Sequence, residues 1–249
     1  VAGSLISALD LRLPAATGKR PARLAQLVVG SLVDAIVARR IAPQSVLPPE
    51  SALSAAFEVS RITVREAVKL LEAKGLVSVR HGVGAVVNAD TEWNLLDADV
   101  LAAAMRHDEN VTLLDELVGV RVALESDLAA QAALNADATD LAEIEGLYHR
   151  LESQLREPEA FIVSDVEFHD RIMAASGNRL ARSIVGTVHS QARTSLRYQG
   201  HPSVQDVTVT NREHAKILER LLDRDAAGAG TAMADHIRSA WSRRRPTPA

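Results

Sequence analysis

Residues 60–74, SRITVREAVKLLEAK, narrow most sharply what this chain can become. Ser60 is a good helix N-cap, because its hydroxyl can accept a hydrogen bond from an orphan backbone N–H of the first turn. Wound at 3.6 residues per turn, Val64, Ala67, Val68, Leu70 and Leu71 gather on one broad side. Arg61, Arg65 and Lys69, spaced by four, fall on another. The apolar side needs a domain to bury it. The basic side needs either solvent or an anion, and on a lone helix solvent would be the ordinary answer.

The next dozen residues favour the anion. After Gly75, a helix stop, Leu76 to Arg80 alternates like a short strand. His81-Gly82-Val83-Gly84 supplies a turn, and Ala85 to Val87 can return as a second strand. A hairpin directly behind a basic helix is the wing of a winged helix-turn-helix, whose second helix lies in a DNA major groove. Glycines at the wing tip allow close approach to a phosphate backbone.

Upstream, residues 1–20 read as a flexible tail ending in Lys19 and Arg20. Leu24, Leu27, Val28, Leu32, Ala35 and Ile36 form the stripe of a first helix over 21–40, and Pro43 to Pro49 a loop. The net charge of −4 conceals an asymmetry: residues 1–90 hold 11 basic and 7 acidic residues (+4), the remainder 17 and 25 (−8). That suits a small DNA-binding module attached to a domain that does not touch DNA. Aromatic residues make up 3%, too few for a platform that stacks single-stranded bases. The absence of cysteine excludes disulfides and thiolate metal sites. No membrane span or secretion signal is expected, and the composition fits the cytoplasm.

Beyond a linker at 90–96, in which Trp93, Leu95 and Leu96 read as an apolar peg, there is no strand-like alternation. Helices are expected near 97–106, 111–135, 138–156, 159–176, 179–199, 204–223 and 226–244, with short connections that imply an antiparallel α-helical bundle over 97–245. The closing Arg243-Arg244-Arg245 reads as a helix end and frayed tail. Asp165 and His169, four apart, share a helix face. Residues equidistant from a hairpin turn lie at one height, and His169, His189, His214 and His236 pair in this way about the breaks near 179, 201 and 225. Imidazoles with one carboxylate and no sulfur suit zinc, nickel or another first-row divalent ion. The level rule leaves three or four histidine ligands open. Arg121 comes near the same level, with Glu125 one turn on as a possible ion-pair partner. A metal with open positions and an arginine fork would receive a carboxylate. Arg193, on the face of His189, is a weaker effector contact.

The segment LPPESALSAAFEVSRITVREAVKLLEAKGLVSVRHGVGAVV resembles the N-terminal domain of the GntR family of bacterial transcription regulators. That resemblance implies that Arg61, Thr63 and Arg65 contact operator bases or phosphates, with Lys69 on the same basic face, and that His81 and Gly82 reach the minor groove. Ser51-Ala52 stands where the family usually has Arg-Glu, so one DNA-contacting arginine is missing. DVEFHDRIMAASGN, NREHAKIL and DHI are similar to the FCD ligand-binding domain of the FadR-like branch. By that likeness Asp165, His169, His214 and His236 hold a metal, zinc foremost, and His189 donates a hydrogen bond beside the pocket. RVALE resembles a segment whose arginine, here Arg121, faces the effector. WNLLDADVL resembles members that answer sugar acids.

The expectation is a mainly α protein: a winged helix-turn-helix at 21–89 and a helical bundle behind it. Its work would be that of a homodimeric transcription regulator, a repressor, with operator DNA as partner and a small carboxylate as effector. A metal-dependent hydrolase with an accessory winged helix, and a purely metal-responsive regulator, are the alternatives.

Overall fold

The computed structural model describes residues 21–108, 111–192 and 202–245. Arg193 and the tail residues Lys19 and Arg20 lie outside them. The chain divides into two units between His107 and Asp108.

The first unit is built on α1 (Pro21–Val37), α2 (Glu50–Ala56) and α3 (Arg61–Ala73). Ser60 caps α3, its Oγ accepting from the Thr63 backbone N–H at 3.2 Å. Val64, Ala67 and Leu71 of α3 close a core with Val28, Leu32 and Ile36 of α1 and with Leu53 and Phe57. Leu70, expected inside, is 40% exposed. The wing is β1 (Val77–Arg80) paired antiparallel with β2 (Gly84–Val87), Val77 facing Val87 and Arg80 facing Gly84. The stretch expected to be a plain loop adds a third edge: Val46 bridges Val86, and Gln44 and Leu47 donate backbone hydrogen bonds to Val87 and Ala85.

The helix α4 (Ala98–Arg106) differs from expectation. Sequence spacing puts it in the bundle, but its Val100 and Ala103 belong to the core of the first unit. Arg106 and His107 at its end reach Asp34 of α1 at 3.2 and 2.9 Å. Trp93 packs on the same core beneath the Arg39 guanidinium, which lies 5.5 Å from its ring centre. Leu95 and Leu96, expected to join it, are 37% and 56% exposed.

The end of α3 is tied to the segment between the wing and α4. Gly75 has φ +72°, and a Cβ there would lie 2.5 Å from the Glu92 carbonyl oxygen. The Asn94 backbone N–H donates to Lys74 O at 3.1 Å, and Asn88 Nδ2 to Gly75 O at 2.9 Å. Lys74 Nζ donates to both oxygens of Asp97, the N-cap of α4, at 2.7 Å.

The second unit consists of α5 (Thr112–Asn135), α6 (Ala138–Ser153), α7 (Pro158–Ala175), α8 (Arg179–Ala192), α9 (Val204–Leu222) and α10 (Ala226–Arg244). Capping boxes at Asp137 and Ser203 start α6 and α9. α5 and α10 run antiparallel: Trp241 Nε1 donates to Asp115 near one end, and Arg224 donates to the Ala133 and Ala136 carbonyls at the other. Gly230 lets α10 approach α5 closely, since a Cβ there would meet the Ser126 carbonyl oxygen at 3.0 Å. Among the described residues no helix is long and apolar enough to cross a membrane.

Candidate metal centre and DNA-reading face

Constant rise per residue puts His169 of α7, His214 of α9 and His236 of α10 at one height, and packing turns them toward one another. Their Nε2 atoms converge: His169 to His236 at 3.1 Å and His214 to His236 at 3.3 Å. Asp165 Oδ1 lies 3.3 Å from His214 Nε2. One ligand atom from each of these four residues lies within 4.8 Å of all the others. His169, His214 and His236 are at most 4% exposed.

The outer edges of two rings face carboxylates. His169 Nδ1 lies 2.9 Å from Glu125 Oε2, and His236 Nδ1 lies 3.1 Å from Glu213 Oε2. A carboxylate can only accept, so each ring donates from Nδ1, and in its neutral form turns an Nε2 lone pair inward. Burial lowers the pKa of His236 even though Glu213 works the other way. Burial, then the neighbouring His236, pushes His214 well below its ordinary value. His214 Nδ1 is buried without a hydrogen-bond partner.

Glu125 is 1% exposed and also accepts from Arg121 Nε at 2.6 Å. Burial would raise its carboxyl pKa, but the Arg121 charge and His169 outweigh that and hold it far below the usual range. Glu213, similarly set, is held down to about 2: burial opposes, while His236, Arg243 and Ser239 prevail.

A cavity beside the cluster is lined by Arg121, Asp165, His169, His189, Thr210, His236, Arg243 and Arg244. Arg121 is thus on the cavity wall, but with one edge of its guanidinium engaged by Glu125. His189 is on the wall too, outside the group of converging ligand atoms. Arg243 stands in the last turn of α10, the helix end expected there, but its side chain is held. Its Nη1 donates to Glu213 at 2.9 Å and its Nη2 to Thr210 at 3.0 Å. Arg245 pairs with Asp115 at 2.7 Å. Arg243 lies seven residues after His236, two turns along one helix face, which is the signal that could have placed it. Nothing comparable marks Glu213, which the site needs because of how α9 meets α10.

On the first unit, Arg61, Arg65, Lys69, His81 and Gly82 are exposed. Arg65 donates through Nε and Nη2 to the two oxygens of Glu50 at 3.2 and 2.9 Å. Lys69 Nζ donates to Glu66 at 3.0 Å. Thr63, expected on this face, is 5% exposed, with its hydroxyl 2.9 Å from Ser60 Oγ. It belongs to the cap, and the start of α3 turns it inward.

A winged helix with a basic reading face, joined to a helical unit, has the layout of a DNA-binding regulator. Residues 24–87 match the family of bacterial regulatory proteins called gntR, and residues 116–239 match the FCD domain. The transcriptional repressor NanR of Citrobacter rodentium is 31% identical over 232 residues, 87% of this chain and 84% of that protein. The galactonate operon transcriptional repressor of Escherichia coli K12 is 28% identical over 216 residues, 87% of this chain and 94% of the relative. The solved structure of Lar, which controls expression of the Listeria monocytogenes agr system, has the same fold: TM-score 0.56 at 20% identity, covering 91% of this chain and 96% of that one. The chain belongs to the GntR family and carries an FCD domain. It is a transcription regulator with an operator-binding head, and the hydrolase reading falls away.

Proposed function

We propose that this regulator is a homodimeric repressor whose helical domain holds one divalent metal ion on Asp165, His169, His214 and His236. On that ion it binds a small carboxylate that weakens operator binding. The observation that carries this reading is the convergence of His169 Nε2 and His236 Nε2, 3.1 Å apart, with both Nδ1 atoms turned outward onto Glu125 and Glu213, which leaves each neutral ring a lone pair facing inward. Two neutral acceptors facing each other repel, and a cation between them relieves it. Separations of 3.1 to 3.3 Å also suit nitrogens held about 2.0–2.1 Å from a common ion. Sulfur-free imidazole and carboxylate ligands favour zinc, with nickel or another first-row ion as alternatives.

A metal bound there would supply positive charge and open positions for a carboxylate. Around it, Arg121, His189, Arg243 and Arg244 bring donors to the same cavity. The galactonate relative's name makes a sugar acid the first effector to try. A dimer follows from recognition: one α3 reads only a few bases, and a two-fold site doubles them. The effector can act only by binding the DNA-competent and incompetent arrangements unequally.

The test is titration of aldonic and uronic acids into operator-bound, metal-loaded protein, beside the metal-free form. Release of DNA by an acid, only when metal is present, is the expected result. DNA affinity that tracks the metal and ignores every acid would leave a purely metal-responsive regulator.

A further inference from the structure

Ile62 is 73% exposed at the second position of α3. It is not needed for packing, since Thr63, Val64, Ala67 and Leu71 fill the buried side of the helix. An isolated exposed isoleucine is ordinary on a protein surface. This one stands in particular company. At 100° per residue it shares a flank with Arg65 and Lys69, beside Arg61. Arg65 is itself braced, its Nε and Nη2 clamped on the two oxygens of Glu50. The flank therefore presents a preset profile: an apolar knob next to a guanidinium whose remaining Nη1 edge points away from the brace.

The N-terminal residues of a recognition helix meet base edges in the major groove. There the apolar feature of a base pair is the C5 methyl of thymine, and the match for an outward guanidinium edge is O6 and N7 of guanine. Three residues of helix separate Ile62 from Arg65, about 4.5 Å along the axis, which is one to two base steps. We propose that Ile62 reads the C5 methyl of a thymine lying one or two steps from the base contacted by Arg65, making Ile62 a specificity-determining residue of the operator contact.

The experiment needs neither effector nor metal, so its failure and that of the sensor reading are distinguishable. Duplexes are selected from a randomised library with the full-length protein, and each thymine of the selected site is replaced in turn by deoxyuridine, which lacks only the methyl group. Affinity is expected to fall about fourfold at one thymine or its symmetry mate, the worth of one methyl taken out of water. In Ile62→Ala that position becomes insensitive to the replacement, while Ile62→Val keeps part of the sensitivity. Uniform indifference of the wild type to deoxyuridine overturns the proposal, as does a sensitivity that survives in Ile62→Ala. Loss of all DNA binding by Ile62→Ala at an unchanged melting temperature also overturns it, by giving Ile62 more than one methyl contact.

Discussion

Glu125 and His169 are 2.9 Å apart, Oε2 to Nδ1, and the same carboxylate holds Arg121 through its other oxygen at 2.6 Å. A buried glutamate thus joins a residue on the cavity wall to an imidazole of the candidate metal centre. Arg121 and His169 are set by one group, and a change at either is felt at the other.

Glu125→Gln removes the charge and keeps the shape. It is expected to weaken metal binding by roughly 10- to 100-fold, the usual effect of losing a carboxylate behind a ligating histidine. Competition with a chromophoric chelator measures this, and Glu213→Gln should act likewise through His236. Affinities within twofold of wild type in both variants would remove the carboxylates from any metal-holding role.

Metal removal should lower thermal stability. A ligand at a hundredfold excess over its Kd stabilises by about 2.7 kcal/mol, which for a chain of this size is a rise of about 5–10 °C in Tm. Scanning calorimetry of chelator-treated and refilled protein tests it. His236→Ala should melt at the same temperature with or without metal.

Asp34 gives the first unit an acid-sensitive contact. Burial works to raise its carboxyl pKa, but hydrogen bonds from Arg40, His107 and Arg106 outweigh it and hold the group well below 3.8. A carboxyl depressed by folding stabilises fully above its unfolded pKa and loses that contribution as pH falls below it. Wild type should therefore lose about 1 kcal/mol more than Asp34→Asn between pH 6 and pH 3, a modest figure because the side chain is 32% exposed. Urea midpoints at the two pH values decide it, and parallel losses in both proteins would contradict it.

Glu50→Gln should loosen the Arg65 brace with little change in stability, because the pair is exposed. Discrimination at the base pair contacted by Arg65 is expected to drop by roughly tenfold, while overall affinity changes less. Competition binding with single-base operator variants measures both. Unchanged discrimination would show that the Glu50 brace does not set how Arg65 meets the DNA.

Features set by local spacing are legible in the amino-acid sequence alone. The Ser60 cap, the buried stripe of Val64, Ala67 and Leu71, and the wing follow from periodicity and turn chemistry. The height shared by His169, His214 and His236 follows from constant rise along helices joined by short turns. Rotation about a helix axis is harder to read. Thr63 turns inward to serve the cap, and His189 lies on the cavity wall apart from the converging nitrogens. Partners from distant segments are not legible at all. Glu213 and Arg243 meet because α9 packs on α10, and residues 44–47 join the wing through backbone hydrogen bonds that no side-chain pattern announces. The allegiance of α4 is hidden for the same reason: its apolar stripe does not say which core it enters.

Gly75 has a mechanical consequence. With the Glu92 carbonyl where a side chain would otherwise stand, and with Asn88, Asn94 and Asp97 bonded across the gap, the base of the reading helix and the strap behind the wing are welded into one joint. Any residue bulkier than glycine at position 75 would meet the Glu92 carbonyl and prise the base of the reading helix from the strap, so the joint closes around the absence of a side chain.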